Sequence, residues 1–334
     1  IAKNVFQVHG VDAQGKVVLV RQLRRRQMIE FIGRLTPCLI GMEACATSHH
    51  WARAFAKLGH EVKLIPPAYV KAYVKRSKND AADAAAICEA VTRPSMRFVP
   101  VKTEEQQAAL ALHRTRDLLI SQRTQLINAL RAHLAELGLV AEQGRDGVAK
   151  LIAIIMDEKN LNSLPVAMRQ ALQAVVAQLA SLQTQIGNLD RCIHAQHRAS
   201  DVSRRLESVP GIGVIGASAI VATITDPSAF RSGRDLAAWI GLVPRQYSTG
   251  GKEKLGGISK QGDRYLRRLL VVGATAVVRQ ARLHPDKYPW IAKLLAKKPA
   301  KLVAIAVANK TARIAWAIMS KGGTYRPLAL AAAA

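Results

Sequence analysis

Leu39-Ile-Gly-Met-Glu43 is a short apolar run that closes on a carboxylate, and the first hundred residues are best read outward from it. Following Cys38, it has the character of a strand whose last residue projects from the end of a sheet, where the functional residues of open α/β sheets sit. On its N-terminal side, Val5 to His9 and Val17 to Val20 flank Asp12-Ala-Gln-Gly15, a turn sequence, and predict a hairpin. On its C-terminal side, His49 to Leu58 has the pattern of an amphipathic helix stopped by Gly59, and Glu61 to Ile65 that of a strand stopped by Pro66-Pro67. Asp80 to Val91 is alanine-rich and helix-forming. Short strands alternating with helices predict an α/β domain over residues 1–102.

Three acidic residues in this region have the right chemistry to act together. Glu43 lies at a strand end, and Asp80 and Asp83 are three apart at a helix start, so both share one helical face. Carboxylates converging on one point supply the hard oxygen ligands that Mg²⁺ prefers, and two such ions serve the attacking and leaving oxygens of a phosphodiester. Lys75, Arg76 and Lys78 stand beside them as candidate phosphate contacts. A plainer reading stays open for each: Ser77-x-x-Asp80 fits a capping box, and Glu43 alone fits an ordinary surface residue.

Composition narrows the partners. Among 334 residues, 49 Lys and Arg face 23 Asp and Glu, for a formal charge of +26. A polyanion is the natural partner of such a chain. The most apolar run, Leu269 to Val278, is too short to cross a bilayer and follows Arg267 and Arg268, so it reads as a buried helix, and nucleic acid is preferred over a membrane. No leader peptide is evident, which predicts a cytoplasmic protein. Cys38, Cys45, Cys88 and Cys192 form no Cys-x-x-Cys pair, so they are expected to be small core residues and not zinc ligands. The first residues, from Ile1, read as the middle of a structured segment, which places the natural N-terminus upstream.

Beyond residue 102 the pattern becomes helical. Leu110, Leu112, Leu118, Leu119, Leu126, Leu130 and Leu134 recur at helical spacing, and Leu172, Val175, Leu179, Leu182, Ile186 and Leu189 form a second, heptad-like stripe between about Pro165 and Ser200. Residues 103–200 therefore predict a helical hairpin, joined through residues 138–164, able to form a coiled coil or a dimer contact. Residues 201–325 predict a mostly helical last domain. It opens with Ser208-Val-Pro-Gly-Ile-Gly213, similar to a helix-hairpin-helix turn in which Gly211 and Gly213 offer backbone N–H groups to a phosphate; a plain helix-turn-helix connection fits as well. In its middle, residues 238–268 are rich in glycine and basic residues. Arg245, Lys252 and Lys254 are candidate phosphate contacts there, beside the alternative of a flexible surface loop. Trp239, Tyr247 and Tyr265 read first as core or loop anchors, and His49-His50 as a solvated helix start. The tail from Leu328 is low-complexity.

The motifs taken together carry a resemblance. Ile1-Ala-Lys-Asn-Val-Phe-Gln-Val-His, Gly41-Met-Glu-Ala-Cys-Ala, His49-His-Trp-Ala-Arg and Lys78-Asn-Asp-Ala-Ala-Asp-Ala resemble the RuvC-like domain of the DEDD insertion-sequence transposases, and Pro244-Arg-x-x-Ser-x-Gly-Gly-Lys252 resembles the second motif of that family. The resemblance spans essentially the whole chain. It implies a ribonuclease-H-like fold and a four-carboxylate Mg²⁺ site in which Glu43, Asp80 and Asp83 take three places, the fourth Asp falling just before residue 1. It further implies a nucleophilic serine at Ser248, with Thr249 the neighbouring alternative. The implied activity is excision and integration of a mobile element by DNA strand cleavage and rejoining. The implied partners are double-stranded DNA, a structured guide RNA and further copies of the chain, as a dimer or tetramer, in the nucleoid of a bacterial-type cell. A hydrolytic nuclease like a Holliday-junction resolvase, or a catalytically inactive nucleic-acid-binding relative, are the alternatives.

Overall fold

The computed structural model describes residues 4–74, 79–157, 159, 162 and 164–326. The chain divides into two compact units, Ile1–Gln107 with Thr225–Ala229, and Ala108–Ile224 with Phe230–Ala334.

In the first unit, β1 (Val5–Val11) and β2 (Val17–Arg24) form the expected antiparallel hairpin, with Val5 opposite Arg24. Its turn is closed by Asp12, whose Oδ1 accepts from the N–H groups of Gln14 at 3.0 Å and Lys16 at 2.8 Å. After α1 (Met28–Gly33), β3 (Leu39–Glu43), α2 (Ser48–Lys57) and β4 (Glu61–Ile65) make one crossover unit in which β3 and β4 pair in parallel, Leu39 opposite Glu61. A parallel pair requires such a helical return. Two helices follow, α3 (Pro67–Val70) and α4 (Asp80–Val91). Phe6, Met28, Met42, Trp51, Phe55 and Leu64 are buried together, with the Trp51 ring edge-on to Phe6 at 5.1 Å. Among the described residues the two ladders are separate sheets. The cysteine expectation needs correction: Cys38 and Cys192 are exposed and Cys45 and Cys88 half-buried, because Cys38 and Cys45 flank the ends of β3, Cys192 lies on an outward helical face and Cys88 lines a cavity.

The second unit is almost entirely helical. It takes in most of α5 (Glu104–Ala135), then α6 (Arg145–Met156) and α7 (Val166–Ala199). The long leucine pattern of α5 buries only at its C-terminal end, where Leu130 and Leu134 meet Leu151 and Ile155 of α6 and Leu172 and Leu179 of α7. Leu118, expected on the same stripe, is exposed. The helix α6 was not foreseen between the two arms; it fills the space between them with the apolar face that Leu151 and Ile155 provide.

The larger core is built from α8 (Asp201–Glu207), α9 (Val214–Thr223), α10 (Gly233–Trp239), a two-stranded ribbon of β5 (Pro244–Gln246) and β6 (Leu255–Ile258), then α11 (Arg264–Leu283), α12 (Pro289–Leu295) and α13 (Ala300–Lys321). Leu206, Ile220, Leu236, Leu270, Val307 and Ile318 anchor it, though the ribbon itself adds nothing to it. Although the sequence pointed to no apolar span, α13 is long and apolar enough to cross a membrane. Val303, Val307, Ala308, Ala312, Ala315 and Ile318 are nevertheless buried in this cluster, which accounts for its hydropathy as that of a core helix.

The turn between α8 and α9 seats on α11 through two glycines. Gly211 has φ +89°, and a Cβ placed on Gly273 would lie 1.8 Å from the Gly211 carbonyl oxygen. Only two residues without side chains allow this approach.

A polar network ties α5 to α9 and α11 inside this unit. The His113 imidazole is buried, with Nε2 3.0 Å from Ser218 Oγ and Nδ1 3.2 Å from the Tyr265 hydroxyl. Arg116 pairs with Asp190 of α7, and Arg268 with Asp117. Burial, aided by the Arg116 charge, pushes the His113 pKa down to about 4, and burial pushes the Tyr265 hydroxyl up. A histidine whose folded pKa lies below its unfolded value of about 6.5 contributes stability that is complete above that value and declines as pH falls toward 4. We expect the thermal midpoint of the wild type to drop between pH 6.5 and 5 more steeply than that of His113→Gln, followed by circular dichroism; parallel slopes would show that His113 does not carry this pH dependence.

Candidate active site

The two carboxylates of α4 are placed by a cap that sequence did not identify. Asn79, not Asp80, caps the helix: its Oδ1 accepts from the Ala82 N–H at 2.7 Å. Ser77, with which Asp80 was expected to form a capping box, lies outside the described residues, as do Lys75, Arg76 and Lys78. With the cap supplied by Asn79, the Asp80 and Asp83 side chains are left for other work in the first turn.

Glu43 reaches the same place from β3. Gly41 shares its strand face, two residues earlier, and a Cβ there would lie 2.9 Å from Val91 Cβ and 3.2 Å from Ile87 Cγ2 of α4. Absence of a side chain at Gly41 thus lets α4 lie directly on the strand. The helix then runs back along β3, so that its N-terminal turn comes to the end that carries Glu43.

The result is one cavity of about 540 Å³, lined in part by Glu43, Asp80 and Asp83, with the apolar side chains of Phe6, Met42 and Ile87 forming its interior. Among the described residues no hydrogen bond or ion pair engages these three carboxylates. In a chain of charge +26, three carboxylates lining one cavity, with no cationic partner among the described residues, are a local concentration of negative charge suited to a cation. The donor set consists of hard oxygens, the preference of Mg²⁺ or Mn²⁺. Burial raises the pKa of the two thiols on the wall, Cys38 and Cys88, which keeps them protonated at neutral pH and leaves the carboxylates as the available ligands. Among the described residues no three His, Cys, Asp or Glu side chains stand close enough together to hold a metal ion, so the three carboxylates share one cavity without forming a ready-made metal site. His49 and His50 do not line this cavity: His49 Nδ1 accepts from the Lys102 N–H at 3.2 Å and His50 lies edge-on to Trp51.

In the second unit, Ser248 and Thr249 sit at the tip of the β5–β6 ribbon. Thr249 and Lys252 bridge across Gly250 (φ +54°) and Gly251 (φ +77°), a two-residue turn in which both central residues need positive φ. Gln246 Nε2 donates to Ser248 Oγ at 2.9 Å, and Tyr247 lies over Gly256 of the facing strand. Arg245 holds the Ser259 carbonyl at 3.3 Å, while Lys252 and Lys254 are exposed. Gly213 faces open space, whereas Gly211 is occupied by its packing on Gly273. Of the three aromatics, Trp239 stacks edge-on with Phe230, Tyr265 belongs to the His113 network, and Tyr247 is exposed.

A family model described as Transposase, of the DEDD IS110 type, matches residues 1–138, and one described as Transposase IS116/IS110/IS902 family matches residues 203–289. A probable family 20 transposase of Pseudomonas aeruginosa is 50% identical over 329 residues, covering 98% of this chain and 97% of its own. The chain belongs to the IS110 family of transposases. The transposase of insertion sequence element IS1328 from Yersinia enterocolitica is 40% identical, with 97% of this chain and 96% of that one aligned, and that of IS1111A from Coxiella burnetii is 39% identical, with 98% and 90% aligned.

As a transposase this chain is an enzyme of DNA recombination, and DNA is its substrate. The first match contains all three carboxylates and the second contains the Ser248 ribbon. Transposases of the DEDD type use divalent metal ions. Sequence alone did not single out Asn79 or Gly41; their signals were an Asn directly before the first helical residue and a glycine one strand period before the acid.

Proposed function

We propose that this transposase excises and integrates an insertion element with Glu43, Asp80 and Asp83 as the ligands of divalent cations, in a domain of ribonuclease-H-like ancestry, and with the Ser248 hydroxyl as nucleophile. The observation that carries the reading is the one cavity lined by all three carboxylates, none of them paired among the described residues. Mg²⁺ bound there, as one or two ions, would supply Lewis-acid stabilisation of the charge that develops on the phosphate. The chain's own contribution is to hold the carboxylates in place through Asn79 and Gly41 and to present the serine on a tight ribbon.

In the proposed step Ser248 Oγ attacks phosphorus, a P–O bond forms to the serine, and the P–O bond to one deoxyribose oxygen breaks. The serine proton is lost and the departing oxygen gains one, so the phosphodiester energy is retained for rejoining. Thr249, one residue nearer the turn, is the other hydroxyl on the tip. Arg245, Lys252, Lys254 and the open Gly213 are suited to backbone phosphates, with Lys75, Arg76 and Lys78 assigned the same role from sequence. We further propose that a structured RNA guides the choice of donor and target DNA, that the active form is a dimer or tetramer, and that the protein works on the nucleoid in the cytoplasm. The charge of +26 supports binding several nucleic-acid strands at once.

The test is a denaturing gel of protein incubated with Mg²⁺, element-end DNA and its flanking RNA. Wild type is expected to give a covalent protein–DNA species, Thr249→Ala to retain it, and Ser248→Ala to lose it together with roughly a thousandfold or more of strand transfer. Cleavage that persists in both variants without any covalent species would instead establish a hydrolytic nuclease.

A further inference from the structure

We propose that the corner formed by α12 and α13 is a binding site for single-stranded nucleic acid, separate from both the carboxylate cavity and the serine ribbon. It lies beyond residue 289, where the second family match ends.

The charge of this corner is one-sided. From Lys287 to Lys310 there are six lysines and no Asp or Glu, and no acidic residue occurs anywhere after Asp286. Lys287, Lys293, Lys297, Lys298 and Lys301 are exposed, and among the described residues none of them forms an ion pair. On α12, Trp290 and Lys293 are three apart and so share one helical face, and Lys297 and Lys298 follow in the turn just after the helix. Lys301 opens α13 directly after the turn.

Trp290 gives the strip its selectivity. The residue is 41% exposed, and Lys310 Nζ stands 4.2 Å from the ring centroid. The cation therefore holds one side of the indole and leaves part of the ring open. A flat aromatic surface beside a row of cations accepts an unpaired base, whose face stacks on the ring while its phosphates meet the lysines. Bases in a closed duplex are already stacked on one another, so the ring discriminates in favour of unpaired strands. Such strands arise at a cleaved or displaced DNA end and in the loops of a folded RNA.

Fluorescence anisotropy of the full chain with a labelled single-stranded oligonucleotide, its duplex, and vesicles of phosphatidylglycerol tests the assignment without requiring catalysis. Trp290→Ala is expected to weaken single-strand binding roughly five- to a hundredfold and Trp290→Phe much less, with duplex binding changed under about twofold. Substituting Lys293, Lys297 and Lys301 together by Gln is expected to reduce the slope of log affinity against log salt by about 2. These lysines are exposed, so the triple variant reports even if Trp290→Ala folds poorly. An equal loss on single strand and duplex, no loss on either, an unchanged salt slope, or an effect confined to vesicles would each overturn the assignment. Loss of cleavage in carboxylate variants with this binding intact would leave it standing, so its fate is separable from that of the catalytic reading.

Discussion

Glu43→Gln and Asp83→Asn are each expected to lower Mg²⁺-dependent strand cleavage on the order of a hundred- to a thousandfold while leaving nucleic-acid affinity within about twofold. Both substitutions keep shape and volume and remove one anion from the cavity wall. A loss of that size corresponds to roughly 3 to 4 kcal/mol of transition-state stabilisation. Binding should survive because affinity for nucleic acid resides in the basic surfaces, and removal of a negative charge cannot weaken attraction to a polyanion. Single-turnover cleavage with a gel-shift control on the same preparations measures both quantities. Activity retained in either variant would remove that residue from the metal site, and parallel loss of binding and cleavage would indicate damage to the fold.

Gly273→Ala is expected to be among the most damaging single-methyl additions in the second unit. Its Cβ would meet the Gly211 carbonyl oxygen at 1.8 Å and the carbonyl carbon at 2.8 Å, both backbone atoms in a turn that cannot swing aside like a side chain. Alanine favours a helix intrinsically by about 1 kcal/mol over glycine, yet overpacking against backbone costs about 3 kcal/mol or more, so the contact wins. For a unit of this size the net loss of about 2 kcal/mol or more lowers the melting temperature by at least roughly 4–8 °C. Thr275→Ala, two residues away on the exposed face of α11, serves as the control and should melt as wild type does. Differential scanning calorimetry decides between the two, and an unchanged midpoint for Gly273→Ala would mean that the turn lifts off α11 at little cost.

Elements with a complete local signal were legible in the sequence. The Asp12-Ala-Gln-Gly15 turn carries its own Asx geometry, and the β3–α2–β4 crossover is announced by two apolar runs on either side of an amphipathic helix ended by Gly59. The three carboxylates singled out in the sequence as metal ligands all line one cavity. What escaped was decided by partners distant in sequence. The glycine at position 41 has meaning only once Val91 lies against it, and Gly211 and Gly273, 62 residues apart, explain each other only in contact. Leu118 satisfies the helical periodicity of α5 yet stays in solvent, because periodicity tells which residues share a face and not how far along a helix a neighbour extends. The β5–β6 ribbon was read as loop because Leu255-Gly-Gly-Ile258 lacks the branched and aromatic residues of a strand; only the paired glycines 250 and 251 announced a hairpin turn.

That ribbon has a consequence for how members of such a family can diversify. None of the buried clusters draws a side chain from residues 244–259, so the segment that bears the two hydroxyls is not selected for packing. Substitutions at the exposed positions of its tip carry little risk of misfolding, apart from the two turn glycines. A randomised library spanning this stretch would consequently be read almost entirely by catalytic selection, and lineages can try new chemistry at its tip without first acquiring spare stability elsewhere.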